Sequence, residues 1–484
     1  MAGGMRSLAK ETFFYGLGSV LPKLLSWFLS LYWAFALHRV DDIGVLTNFY
    51  AWVALLQVIL TYGMETGFFR FANKESDPTR VFSTAFISIL SSTLLFFVLS
   101  LLFLKPAAFA LGGSEMKPHY LLLMVLILCF DVVGAIPFAN LRFKKRPIRF
   151  AAIKLVNVGL TIMINLFFFL VCPLLQERFP DAFAWFNLSR GVDYILIANL
   201  TASVVQLLMV SSELRIRFTF DKALLHRMLR YSFPILILGI AGILNQTVDK
   251  ILFPWFYPDK ANAFRELGIY GQNFKIAIIM VMFTQSFRYA FEPFIFARNR
   301  EAADDRQSFS DATRYFILFG LHEGLKVVPI VLLGELFFGV YFNLSLWYKL
   351  TDQTRWGAYM SIFGFLITLL INILFIPRFG YMACAWASFI ANLAMMILSY
   401  GLGQKHYPIP YNLRSAAIFF LLTIILYAGI RVSYLQLESL PLRLLVSTLL
   451  VAVYLVVMIK RELPLKQWPF IGKFFAGIKN EHQE

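Results

Sequence analysis

The chain has 484 residues, of which 59% are hydrophobic and 15% charged, against roughly 25% charged in an average soluble domain, and its mean hydropathy is +0.69. Its apolar residues come in runs long enough to span a bilayer, about 20 residues each, which excludes a large soluble core, and the alternating segments of about ten residues that build a membrane β-barrel are missing. The net charge of +16 is concentrated in loops between apolar runs, a pattern of membrane orientation and not of nucleic-acid binding.

Taken in order, the apolar runs predict an all-α polytopic membrane protein of about fourteen transmembrane helices. They lie near 11–37, 43–69, 81–104, 119–141, 150–173, 191–211 and 231–254, then 267–296, 311–325, 327–347, 356–376, 380–401, 412–433 and 441–459. No cleavable signal peptide is evident, and the first run reads as the first span. The basic clusters Arg142/Lys144/Lys145/Arg146/Arg149/Lys154 and Arg215/Arg217/Lys222/Arg227/Arg230 fall on the side that holds both termini. The positive-inside bias makes that side, and both termini, cytoplasmic, with some attraction to anionic membrane lipid. Cys129, Cys172 and Cys384 lie in or beside apolar runs without paired spacing, so neither a disulfide framework nor a zinc site is expected.

The runs contain a repeat. Gly44-Val45-Leu46-Thr47-Asn48-Phe49 opens one span and Gly268-Ile269-Tyr270-Gly271-Gln272-Asn273-Phe274 another. Thr161-Ile162-Met163-Ile164-Asn165 is echoed by Thr368-Leu369-Leu370-Ile371-Asn372, and Ala198-Asn199-Leu200 by Ala391-Asn392-Leu393. The order is the same in both halves. Six spans per half is an even number, so both halves enter the membrane in the same direction and the repeat is parallel. The expected domains are two parallel six-helix lobes around a central cavity, an N-lobe at 1–212 and a C-lobe at 231–405, joined by a linker at 213–230. An extra C-terminal helical hairpin follows at 406–460, and a cytoplasmic tail at 461–484. One stretch breaks the pattern. Between Arg298–Ser310 and Lys349–Arg355 the chain must cross twice, yet Tyr315–Leu321 is far below the ~17-residue minimum. The ninth helix is truncated, is re-entrant, or lacks residues in the sequence as it stands; the parity of every other loop favours a missing segment.

No nucleotide loop, HExxH metal motif or GxSxG nucleophile elbow is present, so neither an ATP-driven pump nor an enzyme is expected, and no catalytic or metal-binding residue is assigned. The chemistry lies in ionisable residues within spans, which are costly there and face cavities or partners. These are Lys23, Glu65, Arg70 and Asp131 in the first half, and Asp249, Lys250, Lys275, Arg288, Glu292 and Glu335 in the second. Asp249 and Lys250 are adjacent and point about 100° apart on a helix, a placement that disfavours mutual neutralisation. Arg288 and Glu292 are i,i+4 and can pair. Lysine and arginine on a cavity wall suit an anionic cargo, because phosphate accepts strong charge-assisted hydrogen bonds from them.

Several segments resemble the Wzx-type polysaccharide (O-unit) flippases of the multidrug/oligosaccharidyl-lipid/polysaccharide exporter superfamily. They are Tyr15-Gly16-Leu17-Gly18-Ser19-Val20-Leu21-Pro22-Lys23, Asp42-Ile43-Gly44-Val45, Gly268-Ile269-Tyr270, Val328-Pro329-Ile330-Val331-Leu332-Leu333, and the run from Pro377-Arg378-Phe379-Gly380 to Ala387. The resemblance implies fourteen helices, a V-shaped central cavity and alternating access. The implied cargo is an undecaprenyl-diphosphate-linked oligosaccharide turned across a bacterial inner membrane for surface polysaccharide such as O-antigen and lipopolysaccharide. It also implies cavity residues: by position, Lys23 matches a basic residue of the first helix, Lys275 one of the eighth, and Arg70 lies near the end of the second. With Arg288 these are the candidate substrate-binding residues. Asp131 and Asp249 are the candidates for coupling to a proton or sodium gradient, and no cofactor is expected. Polysaccharide polymerase and glycosyltransferases are possible partners. The rival readings are a lipid II flippase, a cation-coupled multidrug exporter, and a membrane-embedded glycan polymerase or ligase, the last disfavoured by short outside loops.

Overall fold

The computed structural model describes residues 20–275 and 328–462, other than 38, 114, 215–218, 346, 349–352, 354, 410, 412, 437 and 438. The protein is all-α, with no strand among the described residues. Eight of the described helices are long and apolar enough to cross a membrane, and four shorter apolar helices accompany them. In chain order the membrane helices are α1 (Val20–Ala36), α2 (Val40–Ala72), α3 (Pro78–Leu102), α4 (Pro118–Phe143), α5 (Pro147–Arg178), α6 (Leu188–Leu214) and α7 (Lys222–Phe256). They continue with α8 (263–275), α9 (Val328–Leu344), α10 (Arg355–Phe379), α11 (Tyr381–His406), α12 (Leu413–Gln436) and α13 (Leu440–Glu462). The expected short ninth span at 311–325 lies outside the described residues.

Helix ends follow the local chemistry. Pro78, Pro118 and Pro147 open α3, α4 and α5 at the first turn, where their missing N–H costs nothing and their φ is already helical. Asp77 caps α3 through the Thr79 and Arg80 amides, and Asp221 caps α7 through the Leu224 amide. This cap starts α7 nine residues before the apolar run at 231. In α2 the helix breaks at Tyr62 and Gly63, both left-handed, with φ of 33° and 69°. Gly63 also sits against the Ser232 carbonyl of α7, 3.0 Å from where a Cβ would be, so glycine serves both the turn and the close approach. The run beginning at 150 extends to Arg178 because the helix absorbs Pro173 through a π-helical turn at Phe167–Val171.

Packing separates two compact units, the first holding α1 to α11 and the second beginning at Pro408 with α12 and α13. In the first, α6 packs on α4 and α5, and α11 packs on α9 and α10. α7 lies along α2 and also packs on α10. Leu128, Val132 and Ile136 of α4 are fully buried, whereas Leu94, Leu95 and Leu102 of α3 are 60%, 61% and 70% exposed, which marks α3 as a helix whose outer side is apolar enough for lipid. In the second unit α12 and α13 pack together around Phe419 and Tyr454.

The sequence repeat is visible as a contact. A Cβ on Gly44 would lie 1.8 Å from the Phe264 carbonyl oxygen, and one on Gly268 2.2 Å from the Val40 carbonyl oxygen. Each glycine meets the residue four positions before the other. One step further, a Cβ on Gly271 would lie 2.3 Å from Thr47 Oγ1. Residue numbers rise together across the contact, so α2 and α8 run in the same direction. The reciprocity is what a twofold axis through the crossing requires, and glycines allow the backbones to touch as small residues do in membrane helix pairs.

Candidate functional site

A cavity of about 560 Å³ lies beside this crossing. The first half supplies Ser26, Ser30 and Trp33 from α1, Thr47 and Tyr50 from α2, Thr161 from α5 and Asn199 from α6. The second half supplies Gln246 and Lys250 from α7, Phe274 and Lys275 from α8, and Glu335 from α9.

Its wall is organised by buried hydrogen bonds. Trp33 Nε1 donates to Asn165 Oδ1 at 3.0 Å, and Asn199 Nδ2 donates to the Tyr50 hydroxyl at 2.9 Å. Trp33 and Tyr50 lie nearly parallel, their ring planes 9° apart. Asn165 and Asn199 are two of the repeat positions. Their counterparts Asn372 and Asn392 are buried in the second half, where Asn392 helps line a small polar cavity with Asn245, Asp249, Glu335, Thr368 and Ser388.

Lys275 stands where the halves meet. Its ammonium donates to the Ser30 carbonyl at 3.0 Å and to Gln272 Oε1 at 3.1 Å, with the Trp33 ring 5.5 Å away. Its own carbonyl accepts Trp27 Nε1 at 2.6 Å. Lys275 therefore ties α1 to α8 while its charge faces the cavity. Lys23 shares the α1 face of Ser26 and Ser30 by its i+3 and i+7 spacing, but its side chain is exposed and does not line the cavity. Arg70 is placed elsewhere: it is exposed, and its guanidinium lies 4.2 Å over the Tyr231 ring, because the last turn of α2 packs on the start of α7. Arg288 and Glu292 lie outside the described residues.

The expectation that Asp249 and Lys250 disfavour mutual neutralisation is corrected. Lys250 Nζ reaches both carboxylate oxygens of Asp249, at 2.9 and 3.1 Å, since a four-carbon stem spans the angle between adjacent helix positions. The Tyr270 hydroxyl adds a donor to Asp249 at 2.6 Å, and the Lys250 carbonyl accepts from Asn48 of α2 at 2.9 Å. Asp131 lies within the first half, between α4 and α6, where Gln206 Nε2 approaches it at 3.5 Å and Ser203 bonds to it. Lys154 Nζ donates to Gln206 Oε1 at 3.2 Å, so one amide bridges an ammonium and a carboxylate. Glu65 pairs with Arg142 at 2.8 Å. No group of three or more His, Cys, Asp or Glu among the described residues is arranged to hold a metal ion. Trp33, Tyr50, Asn165 and Asn199 were not assigned to a site from the sequence, although the two asparagines stood out as repeat positions.

The class is now defined: an all-α, multi-pass membrane protein in which α2 and α8 cross in parallel beside a polar cavity. A lipid II flippase, MurJ, in an inward closed conformation superposes with a TM-score of 0.71, at 12% identity, over 93% of this chain and 99% of that one. The multidrug transporter DinF-BH, of the MATE type, in complex with R6G gives 0.58 at 13% identity over 84% and 96%. An inward-facing MATE family multidrug resistance transporter of the MOP superfamily gives 0.56 at 12% identity over 81% and 94%. No curated protein sequence matches the chain. A model of the polysaccharide biosynthesis protein family matches residues 8–296, and the chain belongs to that family.

Proposed function

We propose that this protein is a flippase that turns undecaprenyl-diphosphate-linked oligosaccharide units across a bacterial cytoplasmic membrane by alternating access, for surface polysaccharide. The observation that carries the reading is the Lys275 ammonium, held at the seam of the two halves and turned to a cavity that both halves line. It suits a diphosphate, while Trp33 and Tyr50 offer aromatic surface to sugar rings. The similar solved structure of a lipid II flippase and the polysaccharide biosynthesis family match support a lipid-linked cargo. In this reading the basic loops and both termini are cytoplasmic, Lys23 meets the cargo at the cavity's entrance, and Asp131 or Asp249 couples the cycle to a proton or sodium gradient. Glycosyltransferases and a polymerase would act before and after it.

Removing a charge-assisted contact costs about 1.5–3 kcal/mol, or roughly 10- to 100-fold in cargo affinity. Lys275→Ala is expected to abolish or sharply reduce surface glycan in a flippase-deficient strain, with Lys23→Ala less severe. Normal glycan at normal protein levels overturns the role of Lys275. The Glu335 carboxylate in the same wall favours a second reading, export of organic cations. Under it a deletion strain becomes drug-sensitive while its surface glycan is unchanged.

A further inference from the structure

The first-half wall of the large cavity can accept more hydrogen bonds than it can give. Thr161 Oγ1 donates to the Asn157 carbonyl at 3.0 Å, Thr47 Oγ1 to the Ile43 carbonyl at 2.7 Å and Ser30 Oγ to the Trp27 carbonyl at 2.8 Å. A hydroxyl has one proton, so each of these oxygens is left as an acceptor. Asn199 is fixed in the same way. Its Nδ2 gives one proton to the Ile195 carbonyl at 2.8 Å and the other to the Tyr50 hydroxyl. A carbonyl cannot donate, so Ile195 sets the orientation of the amide. Asn199 Oδ1 then keeps its lone pairs, with no partner among the described residues. Of the polar groups on this wall, Tyr50, whose oxygen accepts from Asn199, and the exposed Ser26 keep a proton to give.

These groups follow one another away from the seam. The Lys275 ammonium is 5.5 Å from the Trp33 ring, the nearly parallel Tyr50 ring is 6.3 Å further on, and Tyr50 is bonded to Asn199. A cation, an aromatic floor and a rim of acceptors thus succeed each other. A diphosphate held at Lys275 sets its first sugar on that floor. A hydroxyl-rich sugar gives its O–H groups to the acceptors and its C–H face to the rings. A carboxylate there meets lone pairs with lone pairs, and both sides go unpaired at a cost. We propose that Tyr50, Thr161 and Asn199 form a sugar subsite that admits a neutral, hydroxyl-rich sugar next to the diphosphate and turns away an acidic one. The subsite presupposes the flippase reading above and narrows its cargo to one class of sugar.

The test is equilibrium binding of three probes to the purified full chain in lipid nanodiscs: undecaprenyl diphosphate, and the same lipid capped with glucose or with glucuronate. The caps differ only in a hydroxymethyl or a carboxylate at one carbon. The wild type is expected to bind the glucose probe about 10-fold or more tighter than the glucuronate probe. Thr161→Val and Asn199→Leu roughly keep the side-chain shape and remove the acceptor. Each is expected to cut that ratio several-fold, mainly through weaker binding of the glucose probe. A merely structural role would weaken both capped probes alike and leave the ratio where it was. Equal binding of the two capped probes by the wild type, or a ratio unchanged in both variants, overturns the subsite. Should Asn199→Leu fail to fold because Tyr50 loses its partner, Thr161→Val, whose hydroxyl bonds only within its own helix, still decides it. If undecaprenyl diphosphate binds but the caps are not told apart, the subsite falls and the flippase reading stands. If no probe binds, the flippase reading falls and the subsite with it.

Discussion

Glu213, at the end of α6, is 3% exposed and receives Lys144 at 2.9 Å, Arg146 at 3.2 Å, Arg149 at 3.3 Å and the Asn140 amide at 3.2 Å. The basic cluster at 142–154 is conspicuous in the sequence as an orientation signal, but nothing there shows that three of its members share a counter-ion some 65 positions away. Their heads are 38% to 51% exposed, so water screens part of the interaction. Glu213→Gln is expected to cost about 1–3 kcal/mol, seen as a lower unfolding midpoint in detergent. Asp221 makes the pH case. The Leu224 backbone N–H, and then the Arg80 guanidinium, hold its carboxyl below the usual carboxylate range. A folded-state pKa below the unfolded value of about 3.9 gives stability that is complete above that value and lost as pH falls through the lower one. Midpoints measured down to acid pH should therefore fall in the wild type, and Asp221→Ala should lack that part of the fall.

At the scale of elements, the glycines divide by what surrounds them. Gly44 and Gly268 oppose backbone across the α2–α8 crossing, where nothing can move aside without parting the helices. Gly159 of α5 has nothing within 4 Å of an added Cβ. Gly44→Ala and Gly268→Ala are each expected to destabilise by about 1–3 kcal/mol or more, as overpacking does, and by similar amounts because the positions are equivalent. Gly159→Ala is expected to be neutral or to stabilise by up to about 1 kcal/mol through helix propensity. Thermal unfolding of the three variants checks this, and equal effects at Gly44 and Gly159 would contradict it. Helix positions were legible because apolar runs and proline starts are local. The precise ends were not, since the cap at Asp221, the break at Tyr62–Gly63 and the π turn before Pro173 depend on single residues within the runs.

For the whole molecule, the α2–α8 crossing is the contact that any rocking of the halves must break or use as a pivot. A Cβ at Gly271 would lie 3.1 Å from the Thr47 Cβ, against about 3.8 Å in a typical disulfide. The double variant Thr47→Cys/Gly271→Cys is therefore expected to crosslink within one chain on oxidation. If alternating access separates these helices, transport stops and returns on reduction. Transport that continues in the crosslinked protein would place the moving contact elsewhere.

By itself the sequence determined the membrane class, the helix order and the residues costly enough in lipid to need an explanation, because hydropathy and charge placement are properties of the chain as a string. Only the tertiary structure decided which of those residues meet. It gave Lys275 a cavity and Arg70 an aromatic ring, closed Asp249 onto Lys250, and set Glu335 in the wall of the cavity that Lys275 faces. Such pairings depend on how helices distant in sequence are rotated about their axes, and on the reach of side chains between them, neither of which a one-dimensional pattern records.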